Sequence, residues 1–215
     1  ELKNNPELYE DALLIREQAN RCRDILRKMG RSHQEDQELM PTPVSEIIRE
    51  AAEPHLGRRV PIETRLNKLE NMENEAQPFI LRRPEIIYGL RNMIQNAVDF
   101  AASKILIEAY WSHNEIAFRI VDDGPGFPEK IRDYIGDPFV RNRKPEENSN
   151  SRPYYEGMGL GLFIAKTLLE RTHAKLKFEN GNAELFYDGD HRYKIGAIVE
   201  IVWPRNIIEY KKQTS

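Results

Sequence analysis

Two asparagines four residues apart, Asn92 and Asn96, are of a type that could hold a metal ion. They lie in the segment LRNMIQNAVDFA, which is predicted to be helical, so both side chains project from one helix face. Carboxamide oxygens are ligands for a hard cation such as Mg²⁺, which keeps some waters and takes other ligands from phosphates. The alternative interpretation is that neighbouring backbone groups satisfy both side chains.

A second candidate is the segment Asp122-Asp123-Gly124-Pro125-Gly126, which follows a predicted strand. A carboxylate fixed at a strand end can accept a hydrogen bond from an exocyclic amine such as that of adenine. The glycines permit positive φ and a close approach of ligand to backbone. The alternative is an ordinary Asp-Gly turn between two elements.

A third candidate, the segment GMGLGL over 157–162, leads directly into a predicted helix. Helix N-termini present unpaired N–H groups, and glycines let a phosphate come close to them. The spacing matches neither the dinucleotide pattern G-x-G-x-x-G nor the P-loop pattern, so both of those sites are excluded.

The order of these three segments resembles the catalytic, ATP-binding half of sensor histidine kinases, in the ATPase superfamily that includes gyrase and Hsp90. The resemblance covers about residues 42–204. The segments RCRDILRKMG and YEGMGLGLFIAKTLLER resemble segments of the RegB/PrrB/ActS group of redox-responding bacterial kinases. It implies an α+β fold, a two-layer sandwich preceded by a long dimerisation helix. The mixture of predicted helices and antiparallel strands also favours helices on one face of a sheet.

The resemblance implies that ATP and Mg²⁺ are the cofactors. Asn96 would be the Mg²⁺ ligand with Asn92 beside it near the phosphates, and Asp122 would bind the adenine amine. A lid over the nucleotide is expected at 136–157. The other implied nucleotide-binding residues are Gly124, Gly126, Phe139, Arg141, Gly157, Gly159, Gly161 and Leu162.

The sequence departs from the family pattern in three places. The family usually has a lysine three residues after its magnesium asparagine, where this chain has Asp99, so a phosphate contact is missing or moved. Gly136 stands where the lid motif often begins with phenylalanine. The closing glycine-threonine motif is matched only in part, at Gly196-Ala197.

The elements that must position these residues follow from the apolar periodicity. Helices are predicted over 7–29, 43–56, 84–102 and 158–171, and strands over 60–66, 104–110, 115–121, 175–179, 184–187 and 197–202. Thr42 is the possible cap of the second helix. We expect four regions: a dimerisation helix at 1–30, a linker at 31–41, the catalytic domain at 42–210 and a tail at 211–215.

The first helix carries a heptad seam that predicts a partner helix, and the resemblance implies a homodimer through it. The alternative is that this helix packs on its own domain. Cys22 lies on the seam, where it is either a small apolar filler or a redox switch that links or modifies the chains. The seam residues are Leu8, Ala12, Ile15, Ala19, Cys22, Leu26 and Met29.

Composition narrows the class of protein. The 215 residues carry a formal net charge of −3, from 32 basic and 35 acidic residues, which excludes a general nucleic-acid binder. No apolar run approaches the ~20 residues that span a bilayer. The single cysteine excludes an internal disulfide framework. Related kinases carry an N-terminal membrane sensor, so the resemblance implies the cytoplasmic region of a bacterial inner-membrane protein.

The expected function is ATP-dependent phosphorylation of a histidine, signalling redox state to a cognate response regulator. None of the five histidines lies in an H-E-x-x-T-P motif, so the phosphoacceptor is expected outside this chain. One alternative is a gyrase- or Hsp90-like ATPase, although such enzymes carry a glutamate where Asn92 stands. Another is a dimerisation module with a degenerate nucleotide pocket.

Overall fold

The computed structural model describes residues 40–68, 76–129, 134–135, 160–181, 185–188 and 191–211. Contacts divide the chain into two units, Glu1–Leu39 and Met40–Ser215, and all described residues belong to the second. Several predictions fall outside the described residues: the heptad helix, the lid, Cys22, Phe139, Arg141, Gly157 and Gly159.

The described elements alternate between helices and short strands. In chain order they are β1 (Pro41–Pro43), α1 (Val44–Ala52), a 3-10 turn (Glu53–His55), β2 (Ile62–Lys68), β3 (Phe79–Leu81), α2 (Pro84–Phe100), β4 (Ile105–Trp111), β5 (Glu115–Asp122), α3 (Leu160–Glu170), β6 (Lys175–Asn180), β7 (Leu185–Asp188), β8 (His191–Lys194), β9 (Ala197–Pro204) and α4 (Arg205–Ile208). Among the described helices, none combines the length and apolarity needed to cross a membrane.

The main sheet has five strands in the order β2-β4-β5-β9-β6. The pairs β4–β5, β5–β9 and β9–β6 are antiparallel, as expected. The pair β2–β4 is parallel, with Ile62 opposite Ile105, because the chain crosses over through α2 between them. Two smaller antiparallel pairs, β1–β3 and β7–β8, complete the described strands.

The helices cover one face of the main sheet, which makes the two-layer sandwich. Alternate residues of β4, β5 and β9 point into a core shared with α1, α2 and α3. The Phe118 and Trp203 rings meet edge to face, with centroids 5.3 Å apart. The predicted α+β class is therefore confirmed, and its core places α2 and α3 side by side.

The opposite face of the sheet carries a row of alternating charges across all five strands. Strand register places Arg65, Glu108, Arg119, Glu200 and Lys177 next to one another in that order. Arg119 and Glu108 form an ion pair at 3.1 Å. Opposite charges on neighbouring strands stabilise a sheet, and such alternation is typical of a face turned to water.

The sequence predicted the longer elements but not the shortest ones. Helix α2 and strands β4, β5, β6 and β9 lie within a few residues of their predicted bounds. The expected cap at Thr42 is wrong, because Pro43 occupies the N-cap of α1 and no side chain caps it. The Thr42 hydroxyl donates instead to the Met40 carbonyl. Strands β1, β3 and β8 and helix α4 were not predicted.

A buried histidine lies in the 3-10 turn. His55 is only 3% exposed, and neither ring nitrogen has a partner among the described residues. Burial lowers its pKa below the ordinary 6.5, and the positive charges of Arg58 and Arg91 act in the same direction. Burial therefore favours the neutral form of the imidazole in the folded protein.

We predict that His55 makes stability depend on pH below about 6.5. Because its pKa is depressed in the folded state, the unfolded chain binds the proton first, and stability falls as the pH falls. Urea unfolding of the wild type and His55→Leu between pH 7.5 and 5.5 checks this: the variant should lose less stability. His113→Gln, at an exposed position, is the control. Equal losses in the wild type and His55→Leu would contradict the prediction.

Candidate functional site

A buried acid stands at the end of β5. Asp122 is 5% exposed, and its Oδ1 accepts hydrogen bonds from the N–H of Gly124 at 2.8 Å and of Ala197 at 3.2 Å. No described residue donates to its Oδ2. One carboxylate oxygen thus fixes the side chain, while the other keeps an acceptor for a donor from outside the described residues.

Burial raises the pKa of Asp122 above its usual value. The two N–H donors, from Gly124 and Ala197, oppose this shift but do not cancel it. An acid whose ionised form is disfavoured by burial and whose remaining oxygen lacks a donor is typical of a binding or catalytic site.

The glycines next to Asp122 allow three backbone segments to meet. A Cβ on Gly196 would lie 2.2 Å from the Gly124 carbonyl oxygen, and a Cβ on Gly124 would lie 2.4 Å from the Phe100 carbonyl oxygen. No side chain fits at either position. The turn after β5 is therefore packed between the start of β9 and the C-terminal end of α2.

The neighbouring acid has a different role, which the sequence did not reveal. Asp123 Oδ1 accepts from the N–H groups of Ala102, Ser103 and Lys104, at 2.9, 2.9 and 3.1 Å. Burial raises the pKa of Asp123, but these hydrogen bonds and the Ser103 hydroxyl outweigh it, so the pKa ends below its usual value. Asp123 holds the turn that joins α2 to β4.

The two asparagines of α2 are half-buried, and their hydrogen bonds differ. The Asn92 amide nitrogen donates to the Tyr88 carbonyl at 2.8 Å. This contact agrees with the alternative interpretation, in which neighbouring backbone groups satisfy the side chain. Its Oδ1 faces α3, because a Cβ on Gly161 would lie 3.9 Å from it. The Asn96 carboxamide makes no hydrogen bond with a described residue. No described residue donates to either carboxamide oxygen.

Helix α2 lines up the predicted site residues along one side. Asn92 lies opposite Gly161 in the first turn of α3, and Phe100 contacts Gly124 eight residues later, a rise of ~12 Å. Asn96 lies between these two points on the same helix face. Gly161 is exposed, whereas Leu162 is half-buried and packs against the core.

The side-chain oxygens along this side of α2 suit a hard cation that also binds phosphate oxygens. The described residues contain no cluster of three or more His, Cys, Asp or Glu side chains that could enclose a metal ion. A cation here would take a carboxamide oxygen from α2 and complete its shell with water and phosphate oxygens. That donor set fits Mg²⁺.

The structural roles of Asp123 and Asn180 at this site were not predicted from the sequence. Asn180, at the end of β6, bonds the backbone of Phe127 with both ends of its amide. The sequence signal for Asn180 was slight, since a polar residue at a strand end is common. The Gly196-Ala197 pair was noted only as a partial motif, yet both residues donate to Asp122.

Comparisons with known proteins identify relatives of this chain. The family model of histidine kinase-, DNA gyrase B- and HSP90-like ATPases matches residues 83–207. The sensor histidine kinase RegB of Cereibacter sphaeroides is 55% identical over 204 residues, which are 95% of this chain and 44% of RegB. The histidine-protein kinase AfsQ2 of Streptomyces coelicolor is 38% identical over 92 residues, 43% of this chain and 15% of AfsQ2.

Solved structures share the fold. The mycobacterial sensor histidine kinase MprB gives a TM-score of 0.54 at 21% identity, over 77% of this chain and 96% of that one. Full-length ShkA in complex with AMPPNP gives 0.55 at 20% identity, over 93% of this chain and 39% of ShkA. At such identities the likeness shows the fold alone, and it confirms the predicted sandwich.

This chain spans less than half of the length of RegB. The resemblance to sensor histidine kinases that the three motifs predicted is confirmed by the identity with RegB. Because the family model covers more than half of the residues, the chain belongs to the histidine kinase-, DNA gyrase B- and HSP90-like ATPase family.

Proposed function

We propose that this chain binds Mg-ATP and supplies the γ-phosphate to a histidine outside the chain, as the catalytic part of a sensor histidine kinase. The observation that carries the proposal is the buried Asp122 carboxylate, with Oδ1 fixed by two N–H groups and Oδ2 receiving no donor from the part of the chain that the structure describes. The homology to RegB supports the reaction class.

Adenine is the base that this acid suits. The exocyclic amine of adenine donates to Asp122 Oδ2 and fills its remaining acceptor. Guanine and hypoxanthine carry a carbonyl oxygen at the same ring position, which would face the carboxylate as a second acceptor. The unpaired buried charge disfavours such bases, so the site is selective for ATP.

The phosphates would lie further along α2. Asn96 offers its carboxamide oxygen to Mg²⁺, which when bound neutralises phosphate charge. Asn92 and the first turn of α3 at Gly161 flank the phosphates, where N–H groups of a helix start favour anions. Asn92 cannot take up a proton from water, so the site favours transfer to a protein nucleophile over hydrolysis.

The rest of the protein is proposed from the resemblance. Residues 1–30 would pair in a homodimer, 31–41 would link them to the catalytic domain at 42–210, and 211–215 would be a tail. Cys22 would act as a redox switch, and a membrane sensor elsewhere in the protein would place this chain in the bacterial cytoplasm. The cognate response regulator receives the phosphate. Phe139 and Arg141 would lie in the lid, and Gly157 and Gly159 would flank the triphosphate and hinge the lid.

We predict that Asp122→Asn weakens binding of an ATP analogue with Mg²⁺ by roughly ten- to hundredfold, the value of a hydrogen bond to a buried charge. The same change should raise the thermal unfolding midpoint, because it removes a buried charge while the amide oxygen still accepts from Gly124 and Ala197. Calorimetric titration and thermal unfolding measure the two effects.

Asp123→Asn is the matched control for Asp122→Asn. It should lower the unfolding midpoint, since it weakens the bonds to residues 102–104, and leave the affinity of the folded protein within about threefold, a change of under 1 kcal/mol. Unchanged binding by Asp122→Asn would refute adenine recognition by this acid.

We predict that Asn96→Ala removes most of the gain in ATP affinity that Mg²⁺ provides, roughly a tenfold effect or about 1.4 kcal/mol. Dissociation constants with Mg²⁺ and with EDTA measure this gain. Gln95→Ala serves as the control, because Gln95 contacts Arg58 and Asp99 instead. A gain that survives in Asn96→Ala would exclude Asn96 as the ligand.

The chain alone should not phosphorylate itself, because its histidines lack the phosphoacceptor motif. After incubation with γ-labelled ATP and Mg²⁺, we expect no acid-labile, alkali-stable label on the chain. Adding a separate RegB-type helical segment that carries an H-E-x-x-T-P motif should give label on that segment. Stable label on this chain would overturn the assignment, and steady ATP hydrolysis would favour the gyrase- or Hsp90-like alternative.

A further inference from the structure

The last residue of β6 binds the backbone of a distant turn. Asn180 Oδ1 accepts from the Phe127 N–H at 2.6 Å, and Asn180 Nδ2 donates to the Phe127 carbonyl at 2.7 Å. One side chain thus satisfies both backbone groups of a residue 53 positions away. The carboxamide thus makes the two backbone hydrogen bonds that a neighbouring strand would make in a sheet.

The side chain of Phe127 is held by the same strand. Phe178 lies two residues before Asn180, on the same face of β6, and its ring meets the Phe127 ring edge to face with centroids 5.9 Å apart. Both rings are half-buried and pack against the core. Strand β6 therefore fixes Phe127 through backbone and ring together.

The turn before Phe127 is built to fit this contact. Gly126 has φ of +81°, and a Cβ there would lie 2.8 Å from Asn180 Oδ1. A side chain would therefore both strain the backbone and displace the amide. The conformation of the turn and the position of Asn180 depend on each other.

The other end of the turn is tied to the same region. Gly196 N–H donates to the Asp122 carbonyl at 2.7 Å, and Ala197, which donates to Asp122 Oδ1, pairs with Asn180 across the β6–β9 ladder. The segment 122–127 is thus fixed at its first residue by β9 and at its last residue by β6. Gly124, whose N–H orients the acid, lies between these two points.

We propose that Asn180 is a positioning residue for recognition of the purine base. By holding Phe127 it keeps the Gly124 N–H on Asp122 Oδ1, which leaves Oδ2 turned toward the exocyclic amine. Without the amide, the turn is free to shift, Gly124 withdraws from the acid, and the carboxylate loses its fixed direction. This inference rests on the proposed binding of ATP.

The test measures base selectivity, which a merely structural role would not change. Calorimetry gives dissociation constants of the full chain with Mg²⁺ for ATP and for inosine triphosphate, which has a carbonyl in place of the amine. In Asn180→Ala we expect the dissociation constant for inosine triphosphate divided by that for ATP to fall by roughly tenfold, mostly through weaker ATP binding. Loss of folded protein alone would weaken the binding of both nucleotides equally and leave the ratio unchanged.

Two further variants keep the result interpretable. Lys177→Ala, at an exposed position on the same strand, should keep the wild-type ratio. If Asn180→Ala does not fold, Asn180→Asp, which retains the acceptor for the Phe127 N–H and loses the donor to its carbonyl, should lower the ratio. A wild-type ratio in the folded variant overturns the inference alone. A wild-type chain that binds no ATP overturns the proposed function and this inference with it.

Discussion

The rest of the site depends on one buried carboxylate. Asp122 joins the end of β5 to the turn at Gly124 and to the start of β9 at Ala197, through a single oxygen that accepts two N–H bonds. Burial works against the ionised acid, as its raised pKa shows. The fold therefore keeps a buried acid whose ionised form is disfavoured, an arrangement typical of binding sites.

The two adjacent acids show that environment, not residue type, assigns a role. Asp122, the last residue of β5, lies buried against Gly124 and Ala197, whereas Asp123, just beyond the strand, accepts hydrogen bonds from the turn before β4. Asp123 meets enough donors to favour its charge, whereas Asp122 does not. One acid stabilises a turn and the other retains an acceptor, although the sequence presents them as equal neighbours.

The sequence predicted what local periodicity controls. The apolar spacing of Pro84–Phe100 and the alternation of β4 and β5 were sufficient, because each buries a long, regular face. The short strands β1, β3 and β8 carry too little pattern, and the parallel β2–β4 pair depends on a crossover rather than on either strand alone. Thr42 had the right chemistry for a cap, but β1 pairing leaves Pro43 at that position.

Residue type and spacing indicated the candidate site residues, but not the side chains that support them from elsewhere in the chain. Asn180 acts through the backbone of a residue remote in sequence, which no spacing rule detects. Most of the bonds that position Asp122, Asp123 and Phe127 likewise end on backbone groups. Geometry held by backbone groups tolerates wide change in the surrounding side chains.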